Sequence, residues 1–216
     1  MTDPTGSRRM DAARGPVAET PASNDPQRPA IKLSLLAPAL NEEDNVDGLV
    51  SDVTGAIEPT GWPFELIVVD DGSTDGTVRR LEELRESTPW LRVCRMVDSA
   101  LGPGLGPSAV IGAGLRQARG TLVATLDADR QNDPAEIPRM VEAMEREGAD
   151  FVQGDRSANR RDNFIRRRSS EVGRAFRRTL LGDDIRDSAC ALRVMRRELA
   201  MQIPFQFKGV HRFMAF

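Results

Sequence analysis

The sequence predicts an α/β protein with an open, mostly parallel β-sheet and helices on both of its faces. Short apolar runs alternate with segments of helical periodicity from residue 31 to residue 156, and this alternation is typical of parallel strands joined by helical crossovers. The apolar runs are nearly continuous, as in strands that are buried on both faces. Ligands of such sheets bind outside the carboxyl ends of the strands, so we expect the functional residues there.

Five strands are predicted, and each is an apolar run that stops at polar or glycine residues. All of these ends except the third carry acids or an arginine, and we expect these four ends to be adjacent and to line one crevice. The five runs, in chain order, are IKLSLLAPAL (31–40), FELIVVDDGS (64–73), LRVCRMV (91–97), TLVATLDAD (121–129) and ADFVQGDR (149–156).

Four helices are predicted between these strands. The first carries five apolar residues at helical spacing, and Thr74 or Asp75 is the expected N-cap of the second. Gly120 closes the third helix, and Pro134 stands at the start of the fourth. The four predicted segments are 41–57, 74–87, 107–120 and 134–148.

The composition indicates one globular domain with an N-terminal tail. The chain has 216 residues, of which 39% are hydrophobic and 29% charged, and its net charge of −3 does not suggest a nucleic-acid-binding protein. Residues 1–30 are rich in Pro, Ser, Thr, Ala and Gly, so they bury too little apolar surface to offset the entropy of ordering. We therefore predict a disordered tail over 1–30 and a folded domain over 31–216.

The cysteine, histidine and hydropathy patterns restrict the kinds of metal site, cellular compartment and membrane contact that are expected. Cys94 and Cys190 are far apart and belong to no CxxC motif, which predicts two buried small side chains in a reducing, cytoplasmic environment. The single His211 excludes a multi-histidine metal site. No apolar run has the length of a membrane span or the form of a secretory signal, so any membrane contact is expected to be peripheral.

The end of the fourth predicted strand carries two closely spaced carboxylates. Asp127 and Asp129 lie two residues apart, so in an extended segment they face the same way, and Gln131 extends the series. Two neighbouring carboxylates repel unless a cation neutralises them, and Mg²⁺ or Mn²⁺ is suited to carboxylates combined with substrate phosphates. The alternative is that Asp127 caps the next helix and Asp129 is a solvated loop acid.

Two further polar segments follow the first and second strands. Asp70 and Asp71 are placed to accept hydrogen bonds from a nucleobase N–H or a ribose hydroxyl, although DDGS is also a plausible turn by composition alone. Asn41 and Glu42 fit either a ligand contact or the capped, acidic start of a helix. The chain contains neither a GxxxxGK[ST] loop nor a dinucleotide fingerprint after its first strand.

An arginine-rich segment follows the fifth predicted strand. Residues 156–178 contain nine arginines and two acids, a local net charge of +7. Apolar residues within it share a helical face, which favours a basic amphipathic helix at an anionic membrane surface or near an acceptor phosphate. Arg166, Arg167 and Arg168 are the membrane-contact candidates, and the alternative is a solvated helix that packs on the sheet.

As a set, these segments resemble the family 2 glycosyltransferases with the GT-A fold, whose sheet is Rossmann-like. The string PALNEE…DDGSTDGT…GLRQARG…TLDADRQNDP…GDR and the arginine-rich segment are similar to the dolichol-phosphate mannose synthase group, which includes bacterial polyprenyl-phosphate glycosyltransferases. Members of this group continue beyond the segment GVHRF, so we expect a domain truncated at its C-terminus relative to them.

The resemblance implies roles for individual residues. Asp129 and Arg156, of a G-x-R motif, would be catalytic, with Arg156 meeting the acceptor phosphate or the donor diphosphate. The expected metal ligands are Asp127, Asp129 and Gln131. The residues expected around the nucleotide sugar are Pro38, Asn41, Glu42, Asp70, Asp71 and Asp127.

The activity implied by the resemblance is metal-dependent, inverting transfer of a sugar from a GDP- or UDP-sugar to a polyprenyl phosphate at the cytoplasmic face of the membrane. A phosphate oxygen is already anionic at neutral pH, so this acceptor needs little general-base assistance. Two alternatives remain open: a family 2 enzyme that acts on a sugar hydroxyl, and a truncated nucleotide-sugar-binding module without turnover.

Overall fold

The computed structural model describes residues 17–19, 30–96, 105–154 and 190–205. These residues form one sheet with helices packed on both faces. The strands are β1 (Val17–Glu19), β2 (Leu33–Ala39), β3 (Phe64–Asp70), β4 (Leu91–Met96), β5 (Leu122–Thr125), β6 (Phe151–Gln153) and β7 (Arg193–Arg196). The helices are α1 (Val46–Ile57), which leads into a 3₁₀ turn (Glu58–Thr60), then α2 (Thr77–Ser87), α3 (Pro107–Gln117), α4 (Glu136–Glu147) and the short α5 (Arg197–Ala200).

The centre of the sheet is parallel and is organised around β2. The strand order is β1-β4-β3-β2-β5-β7-β6, and β2 pairs in parallel with both β3 and β5. From β2 the chain proceeds outward to β3 and β4 and then returns to the other side of β2 as β5. The strand order therefore reverses at β2, and a crevice for a ligand is expected where the ends of β2 and β5 meet.

Alternate residues of the strands supply two separate apolar cores. On one face, Leu35 of β2 belongs to the core that α1, α2 and α4 cover. On the other face, Leu36 belongs to the core formed with α3 and α5, where Phe205 also packs. The predicted α/β class with helices on both faces is confirmed.

The prediction that four functional strand ends are adjacent is wrong at one edge of the sheet. Strand β7, which the sequence did not predict, lies between β5 and β6 and is antiparallel to both. Strand β6 still runs in the same direction as β5. Strand β7 is only four residues long and ends at the exposed Arg196. Its sequence, RVMR, therefore contains no apolar run long enough to predict a strand.

The helices and strands are shorter than predicted at the ends that carry polar residues. Helix α1 begins at Val46 and not at residue 41, and β5 ends at Thr125 and not at residue 129. The intervening polar residues form loops, because side chains there hydrogen-bond to neighbouring backbone groups and compete with regular structure. These loops are the segments that carry the predicted site residues.

The predicted N-terminal tail contains one short strand. Val17–Glu19 pairs antiparallel with β4, with Val17 opposite Met96, although the sequence predicted no order here. The exposed backbone groups of an edge strand accept a partner largely irrespective of its side chains. The rest of residues 1–29 lies outside the described residues, so the disordered tail stays a prediction.

Two other sequence predictions concern burial and hydropathy. Cys94 and Cys190 are both buried, as predicted. None of the described helices combines the length and the apolar character needed to cross a bilayer.

A buried carboxylate ties the amino-terminal part of the sheet to α3. Glu65 of β3 is 1% exposed and accepts hydrogen bonds from Ser34 Oγ (2.7 Å) and from the backbone N–H (2.8 Å) and Nη2 (2.7 Å) of Arg119. Arg92 Nη1 of β4 lies 3.0 Å from Oε2, the oxygen that Arg119 Nη2 also contacts. Burial alone would raise the pKa of Glu65, but the hydrogen bonds from Ser34 and Arg119 and the charge of Arg92 outweigh it and lower this pKa.

We predict that Glu65→Gln lowers the free energy of unfolding at pH 7 by about 2 to 4 kcal/mol, because Arg92 and Arg119 lose their charged partner. Since the folded-state pKa is lowered, the stabilisation by Glu65 is present above about pH 4.3, the ordinary glutamate value, and is lost as the pH falls through the folded-state value. Urea unfolding between pH 7 and pH 3 should therefore show a weaker pH dependence for Glu65→Gln than for the wild type.

The matched control is Glu147→Gln, which removes an exposed carboxylate paired with Arg146 and should leave the stability within about 0.5 kcal/mol of the wild type. Parallel pH curves for Glu65→Gln and the wild type would contradict this role of Glu65.

Candidate active site

A cavity opens at the carboxyl ends of β2 and β5, next to the start of α3. Its volume is about 570 Å³, which is in the range of small-molecule and cofactor sites. We call it the strand-end cavity. Its lining residues come from the ends of β2 and β5, from the start of α3, from β7 and from the segments next to these elements and after β3: Pro38, Ala39, Leu40, Glu42, Asp71, Gly106, Pro107, Val110, Ile111, Thr125, Leu126, Asp127, Ala128, Asp129, Ala191 and Arg193.

The cavity brings together residues from three of the four predicted segments. Five of the predicted site residues line it, and three others, Asn41, Asp70 and Gln131, are not part of its lining. Arg156 and the arginines at 166–168 lie outside the described residues, so their roles stay predictions. The five lining residues are Pro38, Glu42, Asp71, Asp127 and Asp129.

Asp127 and Asp129 both reach the cavity, with the buried Ala128 between them. Ala128 also lines the cavity and residues 128 and 129 form a turn, so the acids do not reach the cavity through the alternation of an extended segment that the sequence predicted. Asp127 Oδ2 accepts a hydrogen bond from Asn132 Nδ2 (3.2 Å), and Asp129 Oδ1 accepts one from the backbone N–H of Gln131 (3.1 Å). Each carboxylate thus has a hydrogen-bond donor from its own loop.

Asn132 was missed by the sequence analysis. It is buried, its amide nitrogen donates to Asp127, and its amide oxygen lies 3.8 Å from Cys190 Sγ. The side chain of Gln131, in contrast, is exposed and does not line the cavity. Within this loop, the backbone of Gln131 and the side chain of Asn132 orient the two acids.

The donor set of the cavity fits a magnesium or manganese ion that is shared with a phosphate ligand. Among the described residues no group of three or more His, Cys, Asp and Glu side chains could hold a metal ion by itself. Asp127 and Asp129 supply hard carboxylate oxygens, and Mg²⁺ is usually held by one or two carboxylates together with waters and substrate phosphates. The two acids therefore suit a metal–diphosphate complex better than a metal site made by protein alone.

The two acids of the DDGS segment have different surroundings. Asp70 is 1% exposed and accepts hydrogen bonds from the backbone N–H groups of Gly72 (3.3 Å) and Ser73 (3.1 Å). Asp71 lines the cavity, and its two carboxylate oxygens accept backbone N–H groups of Leu105 and Gly106, both at 2.9 Å. Asp70 thus holds the turn, as the alternative interpretation expected, whereas Asp71 joins the end of β3 to the start of α3 at the cavity wall.

Asn41 connects two of the loops around the cavity. Its backbone has a φ of 57°, its N–H donates to Ser73 Oγ (2.9 Å), and its Oδ1 accepts the backbone N–H of Thr74 (2.9 Å). Asn tolerates this left-handed conformation better than most residues. Asn41 therefore fixes the β2–α1 loop against the β3–α2 loop, while the neighbouring Glu42 lines the cavity and accepts a hydrogen bond from Asn45 Nδ2 (2.7 Å).

The sequence analysis also missed Arg193, a buried cation in the cavity wall. Arg193 is 2% exposed and lies in β7 opposite Thr125 of β5 and Gln153 of β6. The described lining contains four carboxylates and this one cation. No local signal distinguishes Arg193 from the other arginines of RVMRREL, because only the pairing of β7 with β5 places it at the cavity.

Part of the cavity lining is apolar. It includes Pro107, Val110 and Ile111 of α3 and Leu40, which is 47% exposed. The described lining thus combines acids, a buried cation and apolar residues. Such a combination suits a ligand that has both a flat organic part and a phosphorylated part.

Comparison with known proteins gives the family of the chain. The family described as Glycosyl transferase family 2 matches residues 34–203. The chain is 37% identical over 194 residues to the dodecaprenyl-phosphate galacturonate synthase of Rhizobium johnstonii, and the aligned residues cover 88% of this chain and 55% of that protein. It is also 37% identical over 171 residues to the undecaprenyl-phosphate 4-deoxy-4-formamido-L-arabinose transferase of Serratia proteamaculans, covering 79% of this chain and 51% of that protein. The chain spans about half the length of the curated relatives it matches.

Two solved structures share the fold at low sequence identity. One is the mannosyltransferase PcManGT of Pyrobaculum calidifontis in complex with GDP-Man and Mn²⁺, with a TM-score of 0.58, 19% identity, and coverage of 80% of this chain and 46% of that one. The other is the glucosyl-3-phosphoglycerate synthase of Mycobacterium tuberculosis with Mn²⁺, UDP and glucosyl-3-phosphoglycerate, with a TM-score of 0.56, 24% identity, and coverage of 78% and 58%. The resemblance inferred from the motifs is thereby confirmed, and the chain belongs to glycosyl transferase family 2 and has the GT-A fold.

Proposed function

We propose that this chain is the catalytic domain of an inverting glycosyltransferase that moves a sugar from a GDP- or UDP-sugar to a polyprenyl phosphate. The observation that carries the proposal is the strand-end cavity, whose lining brings together Asp127, Asp129 and the buried Arg193. Two relatives at 37% identity are named for dodecaprenyl phosphate and undecaprenyl phosphate, which supports this class of acceptor.

The sugar donor would bind with its diphosphate beside the two acids of the β5–α4 loop. Asp127 and Asp129 would hold Mg²⁺ or Mn²⁺ together with the diphosphate, and the cation would stabilise the negative charge that develops on the leaving group. The apolar residues of α3 and Leu40 suit the faces of the base and the ribose. Asp71 would face the nucleoside from the cavity wall, where its carboxylate is held by the backbone N–H groups of Leu105 and Gly106.

A phosphate acceptor needs a cation that holds it more than it needs a base that deprotonates it. A phosphate oxygen is anionic at neutral pH, so it can attack the anomeric carbon without losing a proton. In-line attack opposite the leaving diphosphate inverts the anomeric centre. Arg193 would contact one of the two phosphate groups at the reacting centre, because its guanidinium binds phosphate bidentately and stays charged.

The arginine-rich segment remains part of the proposal, although it lies outside the described residues. Arg156 would serve the acceptor phosphate or the donor diphosphate, and Arg166, Arg167 and Arg168 would contact anionic lipids at the cytoplasmic face of the membrane. A lipid acceptor requires contact with the bilayer, and the net charge of +7 over 156–178 suits such a surface. Peripheral attachment is thus the location that we propose.

The direct test is incubation of the purified chain with a panel of UDP- and GDP-sugars, Mn²⁺ or Mg²⁺, and a polyprenyl phosphate. We expect labelled sugar in the lipid fraction, and we expect EDTA to abolish the transfer, because without the cation the carboxylates of Asp127 and Asp129 would repel the diphosphate and nothing would stabilise it as a leaving group. A panel of sugar alcohols and oligosaccharides serves as the competing acceptor. Transfer to a hydroxyl acceptor but not to lipid, or nucleotide binding without any transfer, would refute the proposed acceptor.

Asp127→Asn and Asp129→Asn should each weaken Mn²⁺-dependent binding of UDP or GDP roughly 10- to 100-fold, as expected for the loss of one charged ligand. Titration calorimetry with and without Mn²⁺ measures this effect without any acceptor. The matched control is Asp133→Asn, since Asp133 belongs to the same loop but bonds to the N–H of Ala135 and does not line the cavity. Equal affinities in all three variants would remove the metal assignment.

Arg193→Gln should reduce transfer strongly, and its binding profile identifies the phosphate that Arg193 contacts. If Arg193 contacts the donor, UDP or GDP affinity falls roughly tenfold or more while nucleoside affinity is unchanged. If it contacts the acceptor, nucleotide affinity is preserved and the KM for polyprenyl phosphate rises. Arg196→Gln is the control, because Arg196 lies in the same strand but is exposed and paired with Asp150. Unchanged transfer by a folded Arg193→Gln protein would contradict the assignment.

A further inference from the structure

The loop that carries Asp127 and Asp129 is attached to α1 by the residue that follows Asp129. Arg130 donates from Nε to Asp52 Oδ2 (2.8 Å) and from Nη2 to Asp52 Oδ1 (3.2 Å). This is a bidentate arginine–carboxylate pair, which fixes the direction of the side chain as well as its distance. Asp52 belongs to α1 and does not line the strand-end cavity.

The backbone of Arg130 adopts a conformation that favours glycine. Its φ is 61°, and a non-glycine residue in the left-handed region is strained. The conformation lets Asp129 face the cavity while the next side chain lies on α1. A glycine would form this turn more easily, so the role of an arginine at position 130 lies in its side chain.

Helix α1 has a gap for the guanidinium. A Cβ on Gly48 would lie 2.4 Å from Arg130 Nη1, so any larger residue at position 48 displaces the arginine side chain. Glycine inside a helix costs roughly 1 kcal/mol relative to alanine. Gly55 of the same helix differs, because a Cβ there would meet no atom within 4 Å.

We propose that Gly48, Asp52 and Arg130 form a latch that holds the loop of Asp127 and Asp129 in its binding conformation before cation and nucleotide arrive. The two acids repel each other when no cation is present, and this repulsion favours an open loop. The latch opposes that opening from the outer side of the loop. The inference rests on the proposed donor site, and it assigns positioning roles to three residues that do not touch the ligand.

The latch should raise the affinity for the nucleotide, because it increases the fraction of molecules whose loop is in the binding conformation. If the loop is in the binding conformation for only a fraction of the time, the apparent dissociation constant rises by the inverse of that fraction. An exposed ion pair contributes up to about 1 kcal/mol, so loss of the latch should raise the dissociation constant about fivefold. Thermal stability should not fall in parallel, since neither the strand pairing nor the apolar cores involve the latch.

The test compares Gly48→Ala with Gly55→Ala in the full chain. Both changes place alanine in α1 and should leave the melting temperature equal or higher. Gly48→Ala should raise the dissociation constant of UDP or GDP in the presence of Mn²⁺ about fivefold, whereas Gly55→Ala should leave it unchanged. Equal nucleotide affinity for the two variants would overturn the proposal.

A second measurement does not depend on nucleotide binding. In metal-free protein, amide hydrogen exchange across residues 126–133 should be faster in Gly48→Ala and in Asp52→Asn than in Gly55→Ala, because the loop opens more often. Arg130→Gly should speed exchange in the same segment without lowering the melting temperature, since glycine accepts the left-handed backbone. Unchanged exchange in these variants would refute the latch even if the nucleotide binds. If the wild type binds neither UDP nor GDP with Mn²⁺, the donor site fails, and loop exchange still decides the latch.

Discussion

The position of β2 at the centre of the parallel sheet is the constraint on which the rest of the molecule depends. It pairs with β3 on one side and β5 on the other, with Leu33 opposite both Phe64 and Leu122. The connection after β2 passes over one face as α1, and the connection before β5 passes over the other face as α3. None of the described helices therefore closes the space above the ends of β2 and β5, and the strand-end cavity forms there.

The carboxylates of this cavity repel one another, and hydrogen-bond donors of the surrounding loops hold them in place. Four carboxylates line it beside one buried cation, Arg193. Each of the four acids accepts a hydrogen bond: Asp127 from Asn132, Asp129 from the backbone of Gln131, Asp71 from the residues before α3, and Glu42 from Asn45. These donors orient the negative groups without neutralising them fully. The cavity accordingly retains an attraction for a cation and, through that cation, for a diphosphate.

The same loops show how a family motif is supported by residues outside it. Asn41 and Asp70 stand inside motif segments, yet their hydrogen bonds hold loops and turns and they do not line the cavity. Gly48 and Asp52 stand in an ordinary helix, yet they receive the side chain that follows Asp129. Motif membership and ligand contact are thus separate properties, and hydrogen-bond geometry distinguishes them.

Local patterns were sufficient for the α/β class, the central strands and the acids at their ends. A buried parallel strand must be apolar on both faces, and the polar residue that terminates it is visible in the sequence, as at Asp127. Local patterns failed at β7, which has four residues and gains its strand conformation only by pairing with β5 and β6. They also extended β5 to Asp129, whereas the strand ends at Thr125 and residues 128 and 129 form a turn.

By itself, the sequence determined the family, the fold class and the acidic character of the site, because each of these depends on residue types at short spacing. The tertiary structure alone decided that Arg193 reaches the cavity, that Asp70 holds a turn, and that Arg130 lies against Gly48. Arg193 and Arg130 depend on contacts across 60 residues or more of sequence, between Thr125 and Arg193 and between Asp52 and Arg130. No local periodicity encodes such contacts, since they arise only when the sheet order and the crossing of the helices have brought the segments together.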